Sequence, residues 1–377
     1  MLRDRHNNTY TVTEGTGANL FVIGFVSSSI QFLLIREMLN IAGGYELITG
    51  IFLGTWLFLS SAGAAFAGKS RQIDLGKINL IFALSPILSI FLLFFLVRLI
   101  LGNGETPSVL VSMIFTMIVL IPFCISSGFI FVKLLSAAKK TSNNNSGKSF
   151  SIETTGGIIA GILISLLVSN DLGTYKLLLI IILLSVTYAL LAYYISKNIA
   201  RLITKIFVTI GVTVIVISDP DIIFRQIMLP SIIVTESRDT PYGNVTTGNY
   251  QNEKSVFYNH RLISYNDDVI EREEDIHYAM LQHKAPHNIL VISGSFDSHI
   301  PEILKYPIDK IVYIERDPAL VMKIYADSLK EKVIIDNTDA FSYIRKTPDK
   351  KDVIIMLVPP PSNLLLNRFY TKEFLLT

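Results

Sequence analysis

Three acids and one loop carry the chemistry open to this chain. The stretch "VISGSFDS", Val291 to Ser298, sets small residues where an apolar strand turns into a helix, with Gly294, Ser295 and Asp297 in the turn. Glu315 ends the next apolar run, and Asp339 lies past a third. In an open α/β sheet such strand ends gather at one pole, and a carboxylate after the second strand accepts hydrogen bonds from ribose hydroxyls. A carboxylate after the third can bond an adenine amino group. Together these residues describe a nucleoside site. Glu315 and Asp317 also suit the start of a helix, where a carboxylate meets the positive end of the dipole, and both roles hold together. Ser293 and Ser295 add hydroxyls, and a helix beginning near Ser298 favours an anion.

The elements that must position these groups follow from the pattern after Pro286. Strands "NILVIS", "KIVYIE", "KVIID" and "DVIIMLV" alternate with helices "SHIPEILKY", "PALVMKIYADSL" and "AFSYIRK". A Pro-rich turn then leads to the helix-like "NRFYTKEFLL". Apolar strands alternating with helices predict a parallel, doubly wound, Rossmann-like domain of the methyltransferase type over 286–377. Before it, 219–285 is β-rich: "SIIVTES", "GNVTTGNY", "KSVFYN" and "RLISY" read as a small antiparallel sheet. "EREEDIHYAMLQH" then reads as a helix with Ile276, Met280 and His283 on one stripe.

The first 218 residues are of another kind. Half of the 377 residues are hydrophobic, and the long apolar runs all precede Ser218. A spanning helix needs about 20 mainly apolar residues. Behind a polar N-terminus (1–17), seven such helices are expected over 18–218, at 18–40, 46–68, 78–101, 108–135, 152–170, 173–196 and 202–218. Arg201 and Lys205 crowd the start of the seventh. Lys and Arg concentrate on one side (Arg3, Arg5, Lys69, Arg71, Lys77, Lys133, Lys139, Lys140, Lys148, Lys197), and that side is expected to be cytoplasmic. The chain then reads as an integral protein of a bacterial inner or plasma membrane, with its soluble part outside the cytoplasm if all seven helices cross.

Gln31, Arg36, Glu37 and Glu46 are the polar groups nearest the membrane core. Ionisable groups there mark a ligand or proton site, or an interfacial Arg–Glu pair that pins the hairpin of the first two helices; the second is favoured, since all four lie within snorkelling reach of one interface. Gly157 and Gly161 form a small-residue face suited to helix packing. The net charge of +2 points to no nucleic acid partner. Cys124 is the single cysteine, which excludes an internal disulfide and a multi-cysteine zinc site; no metal is expected.

This order of parts resembles the spermidine synthase (polyamine aminopropyltransferase) family, and within it the branch with several membrane helices before the synthase domain. The resemblance rests on "GFVSSSIQFLLIREML…GGYELITGIFLGTWLF", "TPYGNV", "ILVISGSFDSHIPEILKYP", "VYIERDPAL" and "DVIIMLVPPPSNLLLNRFYTKEF". It implies a transferase fold that binds decarboxylated S-adenosylmethionine, or a related adenosyl nucleoside, and a polyamine acceptor. It implies that Glu315 holds the ribose and that Asp339, after Thr338 in place of a glycine, lies on the adenine side. It also implies losses. Phe296 takes the place of the loop acid, with Asp297 displaced by one. Leu357 takes the place of the acid that handles the acceptor amine, and Pro360 that of a second Asp. His277, Tyr278 and Ala279 stand where the family has Tyr-His-Glu.

Since only a neutral amine attacks carbon, a carboxylate must orient it and accept its proton, and leucine does neither. The expectation is a membrane-anchored relative with a nucleoside scaffold and impaired aminopropyl transfer. The alternatives are an active transferase with altered residues and a transporter-like protein with a regulatory nucleoside domain. The expected partners are the bilayer, a polyamine or adenosyl ligand, and a second copy of the chain. The family's domain continues past the point matched by "NRFYTKEFLLT", so the domain is expected to be incomplete, with its fourth strand an open edge.

Overall fold

The computed structural model describes residues 5–70, 73–141, 146–251, 253–265, 269–321, 331–347, 349–361 and 363–376, with side chains from Thr16 onward except at 140–141. It divides into two compact units, one of residues 1–42, 47–102 and 106–228, the other of 43–46, 103–105 and 229–377.

The first unit is helical. Helices α1 (Arg5–Ile41), α2 (Glu46–Lys69), α3 (Leu75–Ile100), α4 (Val109–Thr141), α5 (Ser146–Ser169), α6 (Thr174–Tyr193) and α7 (Asn198–Ile217) follow the seven apolar runs. All seven are long and apolar enough to cross a membrane, by length and composition. The polar N-terminus is not a separate segment: its backbone from Arg5 is already part of α1. The unit also takes in a short helix, α8 (Pro220–Met228), so its boundary falls after Met228 rather than at 218. Aromatic packing of Trp56 and Phe82 on Phe123 joins α2, α3 and α4. The close approach of α1 and α5 depends on Gly24 and Gly156, each set against the other helix's backbone so that no Cβ would fit. Gly161, expected on that face, has open space beside it. Helix α7 has no buried residue.

The second unit has two sheets. Strands β1 (Ile233–Asp239), β2 (Asn244–Tyr250), β3 (Glu253–Tyr258) and β4 (Arg261–Tyr265) form an antiparallel meander. Helix α9 (Val269–Met280) follows and buries Ile276 and Met280. His283 is not on that stripe: it lies beyond the end of α9, exposed. The second sheet is all parallel, with β5 (Asn288–Ile292), β6 (Lys310–Ile314), β7 (Val333–Asp336) and β8 (Val353–Met356) in the order β7-β6-β5-β8. The chain runs from β5 out to β7 and then crosses back to β8 on the other side of β5, and this switch between β5 and β8 opens a crevice above the carboxyl ends. Among the described residues, strand β8 pairs on one side, with β5.

Both faces of this sheet are covered. Ile289, Val291, Ile311 and Tyr313 pack under α9 and α10 (Phe296–Ile303). Leu290, Ile292, Val312 and Ile314 pack on the other face with Ala340 of α11 (Ala340–Lys346), Phe369, and Phe374 of α13 (Lys372–Leu375), while α12 (Leu364–Asn367) lies between β8 and Phe369 in the chain. Alternate β-branched residues thus feed two opposite cores, which is why the strands read as continuous apolar runs. The helix expected over "PALVMKIYADSL" begins as a 3-10 turn at Pro318–Leu320, and its remainder, 322–330, lies outside the described residues.

Candidate active site

The loop after β5 turns through two left-handed residues, Ser293 (φ 59°) and Gly294 (φ 89°). Glycine takes such a conformation without strain; serine pays for it. The Ser293 hydroxyl donates to Glu315 Oε2 at 2.7 Å, and its N–H donates to the Ile314 carbonyl at 2.9 Å, so the strained turn is tied to the end of β6. The Tyr313 hydroxyl donates to the Gly294 carbonyl at 2.7 Å and fixes the loop from below.

Glu315 is 6% exposed. Its Oε1 accepts the Asp317 N–H at 3.0 Å, yet burial outweighs this and raises its pKa above the usual carboxylate range. Asp317 is buried too, accepts from Thr240 Oγ1 at 2.6 Å, and caps the turn at Ala319. The "TPYGNV" and "VYIERDPAL" stretches therefore meet through Thr240 and Asp317.

The other expected site residues fare differently. Asp339 caps α11 at the Ser342 N–H and is clasped by the Arg368 guanidinium, whose Nη1 lies 3.1 Å from Oδ2. Asp297 pairs with Lys254 of β3 at 3.6 Å, and burial raises its pKa. Ser295 shares hydroxyl contacts with Ser298 at 3.1 Å and with Ser264 of β4 at 3.2 Å. Leu357 packs onto the loop: a Cβ added at Gly294 would stand 2.7 Å from Leu357 Cδ1. The space a glycine leaves beside the loop is thus occupied by Leu357. Pro360 is exposed.

His277 does not reach this loop. Its Nδ1 is 2.7 Å from the Tyr306 hydroxyl and its Nε2 3.4 Å from Glu302. Arg272 and Lys305 face the same buried Glu302 carboxylate, so cations already occupy the cluster that Glu273, His277 and Glu302 form. Tyr278 is 67% exposed.

One participant was not among the expected site residues. His299 Nδ1 accepts the Ser295 N–H at 3.0 Å, and its Nε2 faces Asp275 at 3.4 Å. Burial lowers its pKa, partly offset by Asp275. The sequence signal was its place in the first turn of the helix after the loop.

The polar cluster of the helical region is corrected by the structure. Glu37 finds a charged partner outside the first two helices. It is fully buried and makes a bidentate pair with Arg225 of α8, at 2.5 and 2.8 Å. Arg36 donates to Thr174 Oγ1 at 3.1 Å. Glu46 belongs to the second unit, where its Oε1 accepts the Leu364 N–H at 2.9 Å. Gln31 is half-buried, six residues before Glu37. Asp221 accepts the Tyr175 and Lys176 N–H groups at 3.0 and 3.2 Å, capping α6 from α8.

The parallel sheet, its switch point and the acids at its carboxyl pole define a doubly wound α/β domain with a crevice at the carboxyl ends of its strands. Residues 269–376 match the family described as "Spermine/spermidine synthase domain". Over these residues the chain carries a domain similar to the spermidine synthases. It is 27% identical to a polyamine aminopropyltransferase of Leptospira interrogans over 242 residues (59% of this chain, 49% of that one). It is 26% identical to one of Oceanobacillus iheyensis over 253 residues (62% and 49%). Among solved structures, spermidine synthase from Thermotoga maritima aligns with a TM-score of 0.30 and 19% identity, covering 33% of this chain and 47% of that one. The chain spans about half the length of these relatives.

Proposed function

We propose that this is a membrane-anchored member of the family whose synthase domain retains a scaffold for an adenosyl nucleoside and is impaired in aminopropyl transfer. One observation carries the reading: Leu357 lies against Gly294, where transfer chemistry needs a carboxylate beside the acceptor amine. Glu315 remains buried at the end of β6 and oriented by Ser293 and Asp317, as a ribose-binding acid must be. The alternative with altered catalytic acids is less well supported, because Asp297 is held by Lys254.

Calorimetry of the full chain with S-adenosylmethionine, its decarboxylated form and methylthioadenosine tests the scaffold; binding of at least one is expected, and silence with all three sinks it. Incubation with decarboxylated S-adenosylmethionine and putrescine is expected to release no methylthioadenosine above background. Robust release that survives Leu357→Ala would mean that other residues perform the transfer.

The membrane branch of the family is supported by seven helices of spanning length. It is also supported by relatives whose alignments, at 59% and 62% of the chain, exceed residues 229–377 and so take in part of the helical region. We place the synthase domain on the non-cytoplasmic face. The excess of Lys and Arg in the opposite loops, at Lys69, Lys77, Lys133, Lys139, Lys148 and Lys197, supports this side. Away from the cytoplasm, where adenosyl donors are made, selection on the catalytic acids would relax. Labelling of Ser237→Cys, in a Cys124→Ala background, by an impermeant maleimide on intact cells is expected; protection until the inner membrane is broken would falsify this topology.

A further inference from the structure

Inside the helical unit, hydroxyls meet where a membrane protein usually packs carbon. Ser27 Oγ of α1 lies 2.9 Å from Ser127 Oγ of α4. One residue away, Ser126 Oγ lies 2.8 Å from Ser85 Oγ of α3. The second pair cannot be satisfied as it stands. Ser85 Oγ is also placed to donate to the Phe82 carbonyl at 2.8 Å, a carbonyl that Pro86, four residues on, cannot serve. Ser126 Oγ is placed to donate to the Phe123 carbonyl at 2.9 Å. Two hydroxyl protons face three acceptor positions.

Ser29 and Ser89, both fully buried, have hydroxyls with no hydrogen-bond partner. Ser89 stands one turn from Ser85 on the same face of α3. Ser29 stands eight residues before Glu37 on α1, about 80° round the helix from it. A buried hydroxyl left unpaired costs about 1–3 kcal/mol, and a helix offers serine its own carbonyls as an alternative that neither residue takes.

The polar interior continues to both ends. Towards one end, Asn19 bonds the hydroxyls of Tyr188 and Tyr193 at 2.9 and 3.0 Å. Towards the other lies the Glu37–Arg225 pair. From Asn19 to Glu37, α1 rises about 27 Å, close to the hydrocarbon thickness of a bilayer.

We propose that α1, α3, α4 and α6 enclose a hydrated seam that admits water and small uncharged solutes able to hydrogen-bond. Water supplies the missing proton at Ser85–Ser126 and partners for Ser29 and Ser89. The solute is uncharged because the formal charges at the seam's end, Glu37 and Arg225, neutralise each other. This rests on the reading of the helices as membrane spans, and the controls separate the two.

In proteoliposomes of the full chain carrying Cys124→Ala, single variants Ser29→Cys, Ser89→Cys and Ile87→Cys are treated with a small water-soluble methanethiosulfonate. Each keeps a side chain close to the original in size or faces outward, so the fold is retained. Thiols react as thiolates, which form only where water reaches. Ser29→Cys and Ser89→Cys are expected to label roughly tenfold faster than outward-facing Ile87→Cys, which lies at the depth of Ser89. Labelling of both as slow as Ile87→Cys overturns the seam and leaves the spans intact. Rapid labelling of Ile87→Cys overturns the spans, and the seam with them.

Discussion

The two units treat buried charge in opposite ways. In the helical unit, Glu37 and Arg225 are 0% and 2% exposed and meet each other's charge in a bidentate pair between distant parts of the chain. In the α/β unit, Glu315 is nearly as buried but is held by the Ser293 hydroxyl and the Asp317 N–H, from its own strand end and the neighbouring loop. An ion pair fills both partners' capacity and holds elements together. A carboxylate held by neutral donors, its pKa raised by burial, keeps spare lone pairs for something else. The first arrangement is a staple, and the second is what a ligand-binding acid looks like with no ligand bound.

The largest effect that would test this contrast is in the staple. Arg225→Met leaves Glu37 buried without its counter-charge, and about 3–5 kcal/mol of stability should be lost. Thermal unfolding in detergent reads it. Adding Glu37→Gln to Arg225→Met should restore part of the loss. A double variant no better than Arg225→Met would show that the pair acts through packing instead.

Next in size is the loop contact. Leu357→Ala removes a half-buried side chain from beside Gly294, for about 1–2 kcal/mol, below the loss of a fully buried leucine. Leu357→Asp with Pro360→Asp puts acids back where the family has them. If the acceptor groove survives, traces of methylthioadenosine release should appear only in that variant. Smaller again is Asp221→Ala, which uncaps α6 and should cost about 1 kcal/mol. An unchanged melting midpoint would mean that water replaces the carboxylate.

The contrast also marks what the sequence made legible. Glu315 and Asp339 could be placed at one pole from the alternation of apolar runs with helices, because the strands of a parallel sheet all end on the same side. The seven apolar helices followed from length and composition in the same way. Glu37 could be flagged as buried but not paired correctly. Its partner lies 188 residues away, and the segment "PDIIFRQIM" is too short and mixed to announce a helix that docks against α1. The Asp339–Arg368 clasp and the role of His299 were illegible for the same reason: each depends on which loops a sheet's topology brings together, not on local pattern.

The smallest expected effect concerns His299, whose acceptor role at the loop is the neutral counterpart of Glu315. Its Nδ1 takes the Ser295 N–H, so the ring must be neutral there, and its Nε2 proton points to Asp275. Protonation would set a second N–H against that of Ser295. Burial lowers the folded pKa from the ordinary 6.5, while Asp275 opposes the shift and Arg272 adds to it. A histidine whose folded pKa lies below its unfolded value binds protons more readily in the unfolded chain. Its contribution is therefore intact above pH 6.5 and is lost as pH falls from there towards the folded value. His299→Leu removes this dependence. The melting midpoint of the natural chain should fall more between pH 7 and about pH 5 than that of the variant, since that interval brackets histidine titration. Other histidines and carboxylates titrate in both proteins and cancel in the comparison. Equal slopes for the two would show that His299 carries its proton freely and that the Ser295 N–H does not depend on it.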